Sequence, residues 1–465
     1  MKSRVIATIF LAIILVTNVL AQSDTPWAHG RLTVAPNGRY LCHADSTPFF
    51  WLGETAWLMP ERLNRDEADY YLSRAADAGF NVVQIQTVND VPAYNVYGAK
   101  SVKGDYDFDL TTSGDDYGYW DHVDYIVDCA AKNGIYVGMV CIWGGLVKGG
   151  KMTVEQARRY GRFLGERYAD NPNIIWIIGG DIRGDVKTEE WVALARSIRE
   201  ADDNHLMTFH PFGRTCSATW FNDADWLDFN MFQSGHRRYG QRKGDGDHSD
   251  PQDNEEDNWR YAEAALAMTP VKPVLDAEPS YEDIPQGLHD TTQPRWTARD
   301  VRRYAYWSVF AGSCGHTYGN NSIMQFYRPG LPPAYGAEKT WVEALDCDGF
   351  NQMKHLKRLF TIFPLGSHQP DRSVIQNGVG ERYDRLTALR GSDFILVYDY
   401  SGREATINTD KLTVNDLETF YYSPVNGRFT KAPASRKGNN ITFTPVPGED
   451  VVLVVVAKGL IETEK

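Results

Sequence analysis

Two carboxylates stand where a polar residue follows an apolar run. Asp181 ends the segment Asn173-Ile174-Ile175-Trp176-Ile177-Ile178-Gly179-Gly180-Asp181, and Glu278 ends Pro273-Val274-Leu275-Asp276-Ala277-Glu278. The paired glycines before Asp181 let the backbone turn sharply and leave the acid at the strand end. Alternation along a strand predicts that Asp276 and Glu278 share a face, with Glu278 the outer of the two. Such a pair suits cleavage of a glycosidic bond. One carboxyl must protonate the departing oxygen while the other attacks the anomeric carbon or activates water. The two must hold different protonation states at one pH, which requires burial or like charge for one and hydrogen-bond donors for the other. Asp181 is the expected acid/base and Glu278 the expected nucleophile. The competing reading is that either carboxylate caps a helix or sits in a buried ion pair.

The elements that must position this pair are eight short apolar segments between residues 48 and 323, each expected to be a strand. They are Phe49–Gly53, Asn81–Thr87, Tyr136–Trp143, Ile174–Gly179, Met207–Pro211, Leu227–Gln233, Pro273–Glu278 and Cys314–Tyr318. Stretches such as Arg65–Ala78 and Val154–Tyr168 lie between them with helical apolar spacing. Strands apolar on both faces and separated by helices predict parallel pairing, and eight such units predict a (β/α)8 barrel. A doubly wound open sheet is the rival, but Gly53-Glu54-Thr55-Ala56-Trp57 after the first strand is no phosphate-binding loop. The active site of such a barrel lies at the C-terminal ends of its strands. Asp181 and Glu278 would then face one another from strands four and seven. Further polar or aromatic residues at the same ends are expected to bind substrate: Glu54, Gln86, Asn89, Trp143, His210, Gln233, His236, His316 and Tyr318. Together they would form a rim of donors and acceptors with one indole platform, suited to a polyhydroxylated ligand. Convergence of His210, His236 and His316 on a metal is the alternative. No close-spaced His pair supports it, and no metal or cofactor is expected. No Lys ends an apolar strand segment, which argues against Schiff-base chemistry.

Around this core the chain divides into four parts. In residues 1–21, Lys2 and Arg4 precede the apolar run Val5–Val16 and the small-residue end at Ala21, the pattern of a cleaved signal peptide, so the protein is expected to be periplasmic or secreted. Residues 22–47 contain a predicted hairpin, Arg31–Cys42, turning at Asn37-Gly38. The barrel is expected over 48–364. From 365 to 465 strands alternate with turns and no helix is evident, which predicts an antiparallel β-sandwich.

The 465 residues carry 48 Lys+Arg against 61 Asp+Glu, a net charge of −13. Loss of Lys2 and Arg4 would make it −15; the sandwich region holds 12 Lys+Arg and 13 Asp+Glu, so about −14 falls on the barrel region. That acidity argues against nucleic acid or an anionic membrane as partner. The expected partner is an oligosaccharide or polysaccharide. Part of the charge sits in Gly244–Asn258, which has seven acidic residues and no Lys or Arg, after the basic stretch His236–Lys243. This segment reads as a solvated loop, or as a calcium site using Asp245, Asp247 and Asp250, although its spacing is not that of an EF-hand. Arg237 and Arg238 beside it have the fork geometry to hold a substrate carboxylate. The six cysteines are widely and irregularly spaced, with no zinc motif, and are expected to be mostly buried thiols.

Four segments carry a family resemblance: Phe50–Trp57 (FWLGETAW), Asn171–Asp181 (NPNIIWIIGGD), Asp228–His236 (DFNMFQSGH) and Asp276–Pro279 (DAEP). On these the chain resembles glycoside hydrolase family 140, whose tail region has been described as a collagen-binding domain of a collagenase. The resemblance spans nearly all of the chain after the leader. It implies a barrel with a C-terminal β-sandwich, and an apiosidase acting at D-apiose in the side chains of pectic rhamnogalacturonan II. It places the catalytic Asp on Asp181 and the catalytic Glu on Glu278. Barrel glycosidases more broadly carry Asn-Glu at the end of strand four, where this chain has Gly180-Asp181. The alternatives are a barrel glycosidase acting on another plant-wall glycan, or a non-catalytic glycan- or collagen-binding protein whose working part is the sandwich.

Overall fold

The computed structural model describes residues 25–103, 106, 117–241 and 256–461. The expected signal peptide and the calcium reading of Asp245, Asp247 and Asp250 lie outside the described residues. Three short antiparallel strands come first: β1 (Leu32–Val34), β2 (Leu41–His43) and β3 (Pro48–Phe49). Gly38 makes the turn between β1 and β2 at φ 70°, and a Cβ there would fall 2.5 Å from the Val271 carbonyl oxygen. This small sheet packs against the lower interior of the barrel: Leu32, Leu41 and Phe49 share a cluster with Trp51, Val82 and Tyr136, and the Phe49 and Tyr136 rings meet at 5.3 Å.

The barrel follows. Its eight parallel strands are β4 (Trp51–Thr55), β5 (Val82–Gln86), β6 (Tyr136–Val140), β7 (Ile174–Ile182), β8 (Met207–Pro211), β10 (Asn230–Gln233), β11 (Val274–Asp276) and β12 (Gly315–Tyr318). A two-residue strand, β9 (Thr215–Cys216), pairs antiparallel with β10. The sheet order β8-β7-β6-β5-β4-β12-β11-β10-β9 closes between β8 and β10. There the Asp228 N–H donates to the Met207 carbonyl at 2.9 Å and the Thr208 hydroxyl to the Phe229 carbonyl at 2.7 Å. Each strand is buried on both faces, so its sequence is apolar throughout. Inward residues such as Trp51, Val82, Ile175, Ile177, Met231 and Leu275 fill the barrel. Outward ones such as Leu52, Val83, Ile85, Trp176, Phe232 and Val274 meet the helices.

The helices that cover the sheet include α1 (Arg65–Asp77), α2 (Tyr119–Lys132), α3 (Val154–Tyr168), α4 (Thr188–Ala201), α5 (Trp259–Leu266), α6 (Ala298–Phe310) and α7 (Asp348–Ile362). Several start where the sequence provides a reciprocal cap. Asn64 accepts the Glu67 N–H at 2.9 Å while Glu67 accepts the Asn64 N–H at 3.0 Å, and Thr153 with Gln156 does the same for α3.

The C-terminal region is two antiparallel sheets. One has the order β13 (Gln369–Pro370), β14 (Leu386–Arg390), β15 (Phe394–Asp399), β21 (Val451–Ala457), β17 (Leu417–Tyr422), β18 (Phe429–Lys431); the other is β16 (Ala405–Asn408), β20 (Asn440–Phe443), β19 (Ala434–Lys437). Ile395, Val397, Leu453 and Val455 pack between the sheets with Ile407, Ile441 and Phe443. The opposite face of the larger sheet, with Leu396, Tyr398, Val452 and Val454, joins the barrel's outer core, which explains the unbroken apolar run of β21. The junction is also ionic and aromatic. Arg302 of α6 holds Asp450 through two contacts of 2.6 and 2.9 Å, Tyr306 stacks on Tyr398 at 4.7 Å, and Phe363 meets Phe394 at 4.5 Å. All six cysteines are buried and none is in a disulfide. Among the described residues no helix is long and apolar enough to cross a membrane.

Candidate active site

Asp181 reaches the barrel mouth because β7 breaks its regular path after Ile178. Gly179 and Gly180 adopt φ 86° and 119°, and Asp181 follows at φ 48°. A Cβ on Gly180 would lie 2.8 Å from the Trp143 ring, and one on Gly179 would lie 2.7 Å from the His210 carbonyl, so this turn has room for glycine alone. The Asp181 N–H donates to His210 Nδ1 at 3.2 Å, and Asp181 Oδ1 accepts the Gly213 N–H at 3.4 Å.

Glu278 stands two residues beyond the end of β11. Its backbone carbonyl accepts the Gly235 N–H at 3.0 Å, and the Gly235 carbonyl in turn accepts the Ser280 hydroxyl at 2.9 Å. Two imidazoles flank its carboxylate: His210 Nε2 lies 3.3 Å from Oε2 and His236 Nε2 lies 3.4 Å from Oε1. Because His210 Nδ1 accepts from Asp181, its ring N–H is on Nε2, which lies 3.3 Å from Glu278 Oε2 without hydrogen-bond alignment. One ring therefore lies against both acids.

The two carboxyls are driven apart electrostatically. Burial, and then the charge of Glu278, push Asp181 up to about 6 against the pull of His210 and the Gly213 N–H. Burial also pushes Glu278 up, but the neighbouring imidazoles of His210 and His236 outweigh it and hold Glu278 at about 2. Between those values Asp181 keeps its proton and Glu278 is ionised. That is the division of labour glycosidic cleavage requires.

Around the pair the structure gathers most of the expected rim. Gln86 and Gln233 are buried on inward-facing strand ends, and among the described residues neither amide oxygen has a hydrogen-bond partner. The Trp143 ring lies 6.2 Å from His210 and 5.6 Å from Trp57. Asn89 sits beside the mouth, 3.5 Å from Glu61 Oε2, and Arg237 is buried directly after His236.

Three expected rim residues face the other way. Glu54 points into the helical layer, where the Tyr71 hydroxyl donates to it, and burial raises its carboxyl well above the ordinary range. His316 lies 3.4 Å from Ser308 on α6, and burial lowers its imidazole to about 3. Tyr318 donates to Glu282 at 2.5 Å and packs on Phe80 and Phe350. All three occupy outward positions of β4 and β12, where Thr55 and Thr317 are the inward neighbours; a strand-end position without its parity placed them at the mouth. His316 is thereby removed from any shared site with His210 and His236, and among the described residues no group of three or more His, Cys, Asp or Glu could hold a metal ion. Asp276 also differs from expectation. It does not sit beneath Glu278 inside the barrel but faces the sheet–helix layer, accepting from the Ser234 hydroxyl at 2.6 Å and Asn258 at 3.0 Å.

Sequence reasoning missed Trp57, Tyr281 and Tyr335. The Trp57 indole donates to the Tyr281 hydroxyl at 3.1 Å, Tyr281 crosses the His236 ring at 4.7 Å, and Tyr335 feels the charge of both Glu278 and Asp181. Trp57 and Tyr281 lie just past strand ends already singled out, three residues after Glu54 and Glu278; Tyr335 carries no such signal.

Comparison with known proteins shows the family. Residues 35–366 match the family model described as "Apiosidase-like, catalytic domain", and residues 369–456 match "Putative collagen-binding domain of a collagenase". No curated protein matches the chain. Among solved structures, one described as a glycoside hydrolase is 56% identical over 94% of this chain and 99% of its own, with a TM-score of 0.91. A glycoside hydrolase family 5 structure from Bacteroides vulgatus ATCC 8482 is 55% identical over 96% and 98%, with a TM-score of 0.92. A barrel with opposed carboxylates at its mouth, matched over most of its length to glycoside hydrolases, belongs to the apiosidase-like catalytic family and is itself a glycoside hydrolase.

Proposed function

We propose that this protein is an exported, retaining glycoside hydrolase that cleaves linkages to D-apiose in the side chains of pectic rhamnogalacturonan II. The observation that carries the reading is the opposed poise of the two carboxyls, Asp181 at about 6 and Glu278 at about 2. Asp181 donates its proton to the departing glycosidic oxygen. The Glu278 carboxylate attacks the anomeric carbon as that bond breaks and forms a covalent glycosyl–enzyme. Asp181, now ionised, takes a proton from water, which attacks the same carbon and releases Glu278. His210 and His236 keep Glu278 ionised and oriented. The partnerless amide oxygens of Gln86 and Gln233 suit sugar hydroxyls, since a buried acceptor left unmatched is costly. The apiose assignment is supported by the family match, and export by the apolar leader expected over 1–21.

The test is incubation of the purified protein with rhamnogalacturonan II oligosaccharides beside a general pectin panel, with the released sugar identified and its first-formed anomer read by proton NMR. Release of apiose with retained configuration is expected, and loss of turnover in Asp181→Asn and Glu278→Gln. A different released sugar overturns the substrate, and an inverted anomer overturns the covalent step.

A further inference from the structure

The segment after β10 carries His236 to Glu278; besides the Gly235 contacts with Glu278 and Ser280, the His236 carbonyl accepts the Gly287 N–H at 2.8 Å, and two further ties lead away from the site. At its start, Ser234 gives both its hydroxyl (2.6 Å) and its N–H (3.3 Å) to Asp276. Asn258, just before α5, donates at 3.0 Å to the same Asp276 oxygen that accepts the Ser234 hydroxyl, and at 2.8 Å to the Tyr304 carbonyl. The second tie is at Tyr239, three residues after His236, whose N–H donates to Glu256 Oε1 at 2.8 Å.

Glu256 is fully buried and is itself gripped from two domains. Arg303 of α6, also fully buried, lies 2.7 Å from its Oε2, and the Tyr383 hydroxyl of the C-terminal region reaches both oxygens at 3.1 Å. The Arg303 guanidinium sits among four ring centres: Tyr304 at 4.7 Å, Trp307 at 4.8 Å, Tyr383 at 5.0 Å and Tyr400 at 5.3 Å. Two of those rings come from the barrel and two from the C-terminal domain. A guanidinium so enclosed cannot release its carboxylate cheaply, which fixes where Glu256 stands. Tyr383 further packs on the Tyr239 ring at 5.3 Å, and Arg382 lies 4.9 Å from that ring's centre.

We infer that the C-terminal sandwich is a positioning part of the active site: Tyr383, through Glu256 and Tyr239, sets His236 against Glu278. This rests on the reading of Glu278 as the nucleophile. It gives the tail domain a role in catalysis without requiring it to bind any polymer. Tyr383 touches no reacting atom; it is a positioning residue.

The test uses the full-length protein with Tyr383→Phe, which keeps the ring and removes the hydroxyl from a residue that is itself half-exposed. The first readout needs no substrate. In histidine-labelled protein, the imidazole N–H signal assigned by its loss in His236→Asn is expected to exchange faster with water in Tyr383→Phe, while the His210 signal is unchanged. The second readout is kinetic: kcat is expected to fall about tenfold with KM nearly constant, the pattern of a transition-state interaction. In the His236→Asn background Tyr383→Phe is expected to cost nothing more, because both act through one contact. An unmoved His236 signal, or losses that add in the double variant, overturns the inference. If the signal moves but no glycoside is hydrolysed, the positioning stands and the proposed reaction fails. If Glu278→Gln abolishes turnover while Tyr383→Phe changes neither readout, only the positioning fails.

Discussion

Asp181→Asn, followed against pH, interrogates the site most directly. Asp181 must be protonated to act as acid, and its carboxyl is raised from 3.8 to about 6. At pH 7 a group at about 6 is roughly 9% protonated, whereas an ordinary Asp would be roughly 0.06% protonated. Burial and the neighbouring Glu278 charge thus raise the working fraction about 150-fold, worth ~3 kcal/mol. Glu278 must be ionised, and at about 2 it stays so across the range in which the protein is assayed. The sign follows: kcat/KM is flat from mildly acidic pH up to about 6, then falls about tenfold per pH unit as Asp181 loses its proton. Asp181→Asn keeps the side chain's shape and cannot donate that proton. Its kcat/KM at about pH 5 is expected to drop ~10²–10⁴-fold, and the basic limb is expected to vanish. The assay is the initial rate of sugar release over about pH 4 to 8. A limb near 6 that persists in Asp181→Asn, or a wild-type rate that stays flat past 7, refutes the assignment.

The same substitution carries a stability signature. A carboxyl whose pKa is raised on folding binds its proton more tightly in the folded state, so the wild type loses stability as pH rises through its unfolded value near 4 to about 6. Asn is spared that loss, and Asp181→Asn is expected to melt higher than wild type at pH 8, by up to ~3 kcal/mol, with the gain absent near pH 3. Glu54→Gln is expected to leave turnover within about twofold, because Glu54 is buried against Tyr71 on the outer face, where burial raises its carboxyl well above the ordinary range; a hundredfold loss would return it to the site. Gly180→Ala forces a Cβ toward the Trp143 ring at a positive φ, and kcat is expected to fall about a hundredfold as Asp181 shifts; full activity would show that the turn has slack. Arg302→Ala strands the buried Asp450 carboxylate at the domain junction, and denaturant unfolding should register a loss of ~3–5 kcal/mol. A loss below ~1 kcal/mol would mean water replaces the guanidinium.

Much of this protein is written locally. The Gly179-Gly180-Asp181 turn, the alternating strands and helices of the barrel and the strand-rich tail are short-range patterns, and each becomes the element it implies. Singling out Asp181 and Glu278 as candidates needed only a strand count and the rule that barrel sites lie at C-terminal strand ends. What tertiary structure decided is which strand-end residues look inward. In a strand polar on one face, alternation reveals the inward set. Here both faces are buried, so the pattern is apolar throughout and parity is silent. Glu54, His316 and Tyr318 therefore read like Gln86, His210 and Gln233 yet turn into the helical layer. The convergence of His210 and His236, from the consecutive barrel strands β8 and β10, on one carboxylate is likewise a product of closure between those strands. So is the split between the two acids, because a pKa depends on burial and on neighbours that only the folded chain assembles. The tail was legible as a sandwich, but its reach to the site through Tyr383 and Glu256 was not, because contacts 127 residues apart leave no local trace.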